Sequence, residues 1–316
     1  MSDNITIGIS SCLLGENVRY DGGHKLDHYL VDTMGKFVDW VPVCPEVEYG
    51  LPTPREAMRL VGEPDSPRLV TRTSGTDHTE GMLRWSEKRC KELNKRNLCG
   101  FIFKGRSPSS GIRNVKVYTS TGMPSRRGKG IFGGAFINTF PLIPVEDDGR
   151  LHDPALRENF IERVFVFRRW KNSMDRGAQR GALVSFHTEH KLLVMAHSQK
   201  HYVALGRLVA TAKQQRPQDL LSRYSTLLME ALTLLATVKK NTNVLMHILG
   251  YFKKQISSDE KKEMLEVIQN YHSGLLPLIV PLVLINHYVR KYDEPYLKKQ
   301  YYLNPHPLEL MLRNHV

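Results

Sequence analysis

Three apolar runs, "ITIGISSC" (5–12), "WVPVC" (40–44) and "CGFIF" (99–103), each open onto a corner of small residues or proline. Helical spacing fills the intervals between them. Leu26, Tyr29, Leu30 and Met34 recur in 25–36, and Leu83, Ser86, Cys90 and Leu93 in 79–97. Short apolar strands that alternate with helices must run mostly in parallel, because each crossover spends its length returning the chain to the same sheet edge. The first half is therefore expected to be a Rossmann-like α/β unit. "RLVTR" (68–72) and "VKVYT" (115–119) are additional strand candidates.

In a parallel sheet the ligand crevice lies beyond the strand carboxyl ends. Cys12, Cys44 and the Ser107–Gly111 corner all fall just past such ends, so residues far apart in sequence are expected to meet. Pro45 stops the second strand from continuing, and Glu46 and Glu48 then project toward the same crevice or into solvent. Cys90 sits on the apolar stripe of its helix, as a packing residue would. Cys99 opens its strand, about 15–20 Å from the corner at the other end, and so does not join Cys12 and Cys44.

Charge divides the chain unevenly. Residues 1–150 carry 21 Lys and Arg against 18 Asp and Glu, whereas residues 151–316 carry 24 against 14. The turn-rich, acidic "VEDDGRLHDP" is followed by almost unbroken helical spacing, which predicts an α/β unit over 1–148 and an all-α unit over 149–316. A net +10 on the second unit favours a polyanionic partner such as RNA, the alternative being a basic surface with no ligand. His187, His190, His197 and His201 fall within about 80° of one helical stripe, flanked by Lys191 and Lys200. Over four turns they spread about 20 Å, too far for one metal ion. The stripe is either an RNA-contacting face or a helix–helix packing face. Arg126, Arg127 and Lys129, in "GMPSRRGKGIFGGAF", are further phosphate-contact candidates, although the glycines lack the spacing of a phosphate-binding loop.

Other classes are disfavoured. The N-terminus lacks a basic stretch followed by an apolar one, so no secretion signal is expected. The longest apolar run, 273–289, is interrupted by Pro277 and Pro281 and is expected to be a buried helix rather than a membrane span. Four cysteines in 316 residues do not suggest a disulfide framework, and a reducing cytoplasm is the expected setting.

Three blocks, "SSCLLGENVRYDGG", "VPVCPEVEYGLPTPRE" and "KGRSPSSGI", resemble the signature blocks of the thiouracil desulfidase family. The region from about 152 onward, with "RENFIERVF" and "LVSFHTEHKLLVMAHS", resembles the helical domain often fused behind it, an arrangement similar to desulfidases that convert 4-thiouridine in tRNA to uridine. The resemblance implies a [4Fe–4S] cluster held by one cysteine from each block, with one iron left open to the substrate's sulfur. Carried onto this chain, two ligands are Cys12 and Cys44. The third falls at Ser110, where the family's Ser-Pro-Ser-Cys-Gly reads Ser-Pro-Ser-Ser-Gly. An alkoxide is a harder and more basic ligand than a thiolate, which implies a weakly held cluster or none. For activating water, Glu46, next to the ligand position Cys44, is favoured over Glu48, with Ser107 or Ser109 bonding the base or the water, and the resemblance implies tRNA carrying 4-thiouridine as partner. Neither a membrane nor a protein partner is expected. Desulfidation of free thiouracil and RNA binding without catalysis are the alternatives.

Overall fold

The computed structural model describes residues 5–119, 123–175 and 180–314, and the chain divides into two compact units, Met1–His152 and Asp153–Val316. The dividing point falls four residues beyond the expected 148, because a tight turn at Asp148–His152 still belongs to the first unit.

The first unit contains two four-stranded sheets. The strands are β1 (Ile5–Ser10), β2 (Val38–Val43), β3 (Met58–Glu63), β4 (Ser66–Thr71), β5 (Gly100–Phe103), β6 (Val115–Tyr118), β7 (Pro124–Gly128) and β8 (Val145–Asp147). The first sheet is wholly parallel in the order β2-β1-β5-β8. Its strands are covered on both faces, which explains why Ile5, Ile7 and Ile9 on β1 and all of β5 are buried. The second sheet, β4-β3-β6-β7, is mixed. The 115–119 strand is therefore not part of the parallel sheet, and the three-residue β8 occupies that place instead. β3 (MRLVGE) buries only Leu60 and β7 (PSRRG) only Gly128, so their hydrophobic signal is weak.

Among the described residues three α-helices serve this unit: α1 (Pro45–Tyr49), α2 (Thr79–Asn94) and α3 (Ile131–Thr139). Cys90 and Leu93 of α2 pack with Phe101, Phe103, Phe132 and Phe136 in one core. Phe101 and Phe103 stack at 4.1 Å between ring centroids, at an interplanar angle of 22°. The helix expected over 25–36 is only two tight turns, Tyr29–Thr33 and Met34–Lys36.

The second unit is helical: α4 (Pro154–Asp175), α5 (Arg180–His197), α6 (Gln199–Ala210), α7 (Pro217–Thr233), α8 (Val238–Leu249), α9 (Ser258–His272), α10 (Ile279–Lys291) and the short α11 (Pro295–Lys298). A buried ionic cluster ties its ends together. Glu162 on α4 lies 2.6 Å from His197 Nε2 and 3.3 Å from Arg313 Nη2, and Arg313 Nε is 3.2 Å from Glu158. Burial favours the neutral Glu162 carboxyl, but His197 and Arg313 outweigh it and hold the group down at about 2. Among the described residues no helix is long and apolar enough to cross a membrane.

Gly8 lies in the middle of β1, between β2 and β5, and a Cβ there would collide with the ring of Phe101. Gly8→Ala is expected to lower stability by about 1–3 kcal/mol through overpacking, read as a shift in the denaturant midpoint with unchanged slope.

Candidate active site

The strand order places a switch point between β1 and β5, since β2 lies to one side of β1 and β8 beyond β5 on the other. The chain turns at each carboxyl end there. After β1 it makes a single tight turn over Ser11–Leu14, which carries Cys12. After β2 it enters α1 with Cys44 as N-cap and Pro45 in the first helical position. After β5 it forms the Ser107–Gly111 corner, where the amides of Ser109 and Ser110 reach Ser107 Oγ at 3.3 and 3.2 Å. Cys12, Cys44, Ser107 and Ser110 line one cavity of about 280 Å³.

The first turn of α3 clamps the third corner. Phe132 and Gly133 donate to the Ser109 carbonyl at 2.9 and 3.1 Å, Ile131 to the Pro108 carbonyl at 3.2 Å, and Gly130 to the Gly111 carbonyl at 2.7 Å. These are the amides that a helix start leaves without partners of its own. Gly130 and Gly133 permit the approach: a Cβ on Gly133 would lie 2.6 Å from the Ser110 carbonyl oxygen, and one on Gly130 2.5 Å from that of Ser109. Gly130 and Gly133 of the basic 122–136 stretch thus serve packing of the site. Gly122 itself lies outside the described residues.

Glu46 joins the corners. Its Oε1 accepts from Ser109 Oγ at 2.5 Å, while its Oε2 lies 3.6 Å from Cys44 Sγ and 3.8 Å from Arg55 Nη2. Ser109 Oγ also meets Ser107 Oγ at 3.0 Å. Since Ser109 gives its proton to the carboxylate, Ser107 donates to Ser109, and a directed chain of hydroxyls ends on Glu46. Ser109 is fully buried behind Glu46, so it positions the carboxylate, whereas Ser107 faces the cavity. Glu48 is used otherwise. It accepts from the Cys44 amide at 3.0 Å and pairs with Arg89 at 2.9 Å, and its carboxyl is pushed up by burial.

Burial pushes the thiol of Cys12 up to about 11, against the pull of Lys104, and that of Cys44 up to about 12, Glu46 adding to the effect. Both are protonated near neutrality and would have to release protons to bind metal. Arg19, Arg55 and Lys104 line the same cavity, a setting that suits the negative charge of a thiolate-bound cluster. Among the described residues no three His, Cys, Asp or Glu side chains gather as a metal site. The donor set therefore fits an iron–sulfur group at two corners with thiols, and the third corner offers the Ser110 hydroxyl. Cys90 and Cys99 are buried elsewhere in the core and line no part of this cavity.

Arg55, which sequence reasoning passed over, is the cavity's most enclosed cation. Its side chain is 7% exposed, and it donates to the Val18 carbonyl at 3.0 Å beside Glu46. Its only signal in the sequence was its place at the end of the second block.

In the second unit the histidine stripe does not exist as one face. α5 ends at His197, and Ser198 starts a new helix by accepting from the His201 amide, so His201 lies on α6. His190 and His197 are in the core, which removes them from any RNA-contacting surface. His190 accepts from Arg169 Nε at 3.0 Å and donates through Nδ1 to the Phe186 carbonyl at 2.8 Å, an arrangement that needs the neutral ring. His187, half-buried, meets Tyr224 Oη at 3.1 Å. The ammonium of Lys191 sits 4.8 Å from the centre of the Tyr296 ring. Lys200, Arg126, Arg127 and Lys129 are exposed.

Comparison with known proteins agrees with this division. Residues 7–148 match the family model described as 2-thiouracil desulfurase, and residues 191–307 match the DUF1722 model, a protein family of unknown function. The uncharacterized protein YbgA of Escherichia coli (strain K12) is 35% identical over 158 residues, 50% of this chain and 94% of that one. The uncharacterized protein YbbK of Bacillus subtilis (strain 168) is 32% identical over 111 residues, 33% of this chain and 71% of that one. A solved structure of the [4Fe–4S]-dependent thiouracil desulfidase TudS is 30% identical and covers 49% of this chain and 97% of that one, with a TM-score of 0.40. The chain thus belongs, through its first unit, to the 2-thiouracil desulfurase family, and carries a DUF1722 domain behind it.

The buried histidines of the second unit make it acid-sensitive. Burial lowers His187 and His306 to about 4, and His190 well below the usual histidine value. As pH falls through about 6.5, the unfolded chain binds these protons and the folded one does not. Their contribution is complete above that pH and is lost progressively toward pH 4. Glu158, pushed up by burial to about 7, acts in the opposite sense, one group against three. The melting temperature followed by helical circular dichroism should be lower at pH 5 than at pH 7; an equal or higher value at pH 5 contradicts this balance.

Proposed function

We propose that this chain removes sulfur from thiolated pyrimidines by hydrolysis, with 4-thiouridine in tRNA as its substrate. The observation that carries the reading is the placement of Glu46. One carboxylate is shared by the thiol corner and the serine corner, inside the cavity lined by Cys12, Cys44 and Ser110. The net +10 of residues 151–316 supports a polyanionic substrate.

Cys12 and Cys44 would hold the iron–sulfur group, with Ser110 at the third corner. When bound, the group supplies Lewis-acid polarisation of the thiocarbonyl sulfur. The protein's own residues do the rest. Ser109 fixes one oxygen of Glu46, and Arg55 stands beside the other, so the carboxylate is oriented before substrate arrives. Glu46 takes a proton from water. The resulting hydroxide adds to the ring carbon as the carbon–sulfur π pair moves to sulfur; Glu46 then passes its proton to the sulfur, the carbon–sulfur bond breaks with its electron pair on the departing hydrosulfide, and the added hydroxyl releases its proton to solvent to become the carbonyl. The thiocarbonyl and water become a carbonyl and hydrogen sulfide, with no change of oxidation state. Ser107, facing the cavity, supports the orientation of Glu46 by donating to Ser109. The apolar walls at Val43, Pro45 and Met58 suit a flat heterocycle.

The hydroxyl at 110 favours a second reading, RNA binding without turnover. Anaerobic reconstitution with iron and sulfide separates the two. Ser110→Cys is expected to raise iron content and sulfide release from thiolated tRNA together. Absence of sulfide release from thiolated tRNA, 4-thiouridine and thiouracil in both forms, with tRNA still bound, would establish the second reading instead. Glu46→Gln in the Ser110→Cys background should retain iron and lose about 10²–10⁴ in turnover; full turnover would remove Glu46 from the mechanism.

A further inference from the structure

The wall of the reaction cavity continues into a larger groove of about 650 Å³ on the mixed sheet, and the two share Met58, Arg72, Arg106 and Pro108. Five cations line this groove, namely Arg59, Arg72, Arg106, Lys116 and Arg126, and no carboxylate does. Among the described residues none of the five is in an ion pair. The cations on the β8 side of the site behave differently. Lys104, Arg113 and Arg150 pair with Asp148, Asp147 and Glu146 at 2.6–3.2 Å.

The register shows how the row arises. Leu60 on β3 lies opposite Val117 on β6, and both are fully buried. One residue back along each strand, Arg59 and Lys116 are therefore neighbours on the open face. Arg126 lies in the adjoining irregular stretch of β7, between Ser125 opposite Val117 and Gly128 opposite Val115. Like charges side by side across neighbouring strands destabilise a sheet, and here three stand on successive strands without a counter-charge among the described residues. Tyr118 offers a ring at the same face, with the Arg59 guanidinium 5.6 Å from its centre. Arg106 turns at the junction of the two cavities with φ 61°, in the left-handed region that residues other than glycine rarely adopt.

We propose that this groove holds the sugar–phosphate backbone of a single-stranded nucleic-acid segment beside the reaction cavity, with Tyr118 as a stacking platform for a flanking base. Phosphate recognition is then built into the first unit, next to the chemistry. The inference rests on reading that cavity as the thiopyrimidine site, and it names how the base is presented.

The test uses the full chain and a fluorescein-labelled 12-nucleotide oligouridylate, whose binding is followed by anisotropy from 50 to 300 mM salt. Arg59→Ala, Lys116→Ala and Arg126→Ala together remove groove charges and leave every residue of the reaction cavity in place. If three phosphate contacts are lost, the slope of log K against log salt should become shallower by about 2, and affinity at 100 mM salt should fall about tenfold or more. Lys116→Glu alone should weaken binding in the same direction. Unchanged slope and affinity in the triple variant overturn the proposal. Displacement of the oligonucleotide by polyglutamate as efficiently as by polyuridylate, at equal charge, also overturns it and marks an acidic protein as the occupant. Sulfide release is read separately. Loss of the salt slope in a chain that releases no sulfide from any thiopyrimidine upholds the groove and removes the desulfidase reading.

Discussion

The structure depends on the parallel pairing of β1 between β2 and β5. Ile7 and Ile9 are inaccessible to solvent, and Gly8 admits the ring of Phe101 against the strand itself. Parallel strands all point the same way, so their carboxyl ends come together regardless of the loops attached to them. Cys12, the Cys44–Glu46 turn and the Ser107–Gly111 corner are close because β1, β2 and β5 are neighbours. Segments nearly a hundred residues apart need no direct attraction to meet there.

The loops beyond the strand ends hold that meeting point still. The third corner is the most constrained: its carbonyls receive the free amides of α3, and two glycines let the helix approach to contact distance. Glu46 bridges this corner to the second one through Ser109. The site is therefore a set of loops whose backbone polar groups are satisfied by one another, a rigid arrangement for residues that must be oriented before a substrate enters. The Ser110 hydroxyl sits inside this clamp. That corner thus offers an oxygen donor on a backbone held by the start of α3.

The two units use charge in different ways. In the second, Glu162 is buried between His197 and Arg313, and burial disfavours the charged form of His190 in the core. In the first, cations near β8 are paired with carboxylates, while those over β3, β6 and β7 are left open. Net charge counted along the chain does not reveal where cations are gathered in a row. The second half carries more positive charge, but the row of cations without a counter-charge lies beside the reaction cavity.

Much of this was legible in the residues. The alternation of apolar runs and helical spacing determines the parallel sheet, because strands buried on both faces need helices to cover them. The corners after those runs mark the cavity, and the expectation of a thiol at the third of them rests on the family resemblance alone. The second sheet was not legible, since β3 and β7 bury only one face and the three-residue β8 is shorter than any pattern can register. The histidine spacing misled because periodicity assumes an unbroken helix, and the cap at Ser198 breaks it. The sequence favours Glu46 over Glu48 by its place next to Cys44, and the different partners of the two carboxylates are decided in three dimensions. Glu46 and Glu48 are two residues apart on one short helix, and only the approach of Ser109 and Arg55 on one side, and of Arg89 on the other, gives them different partners.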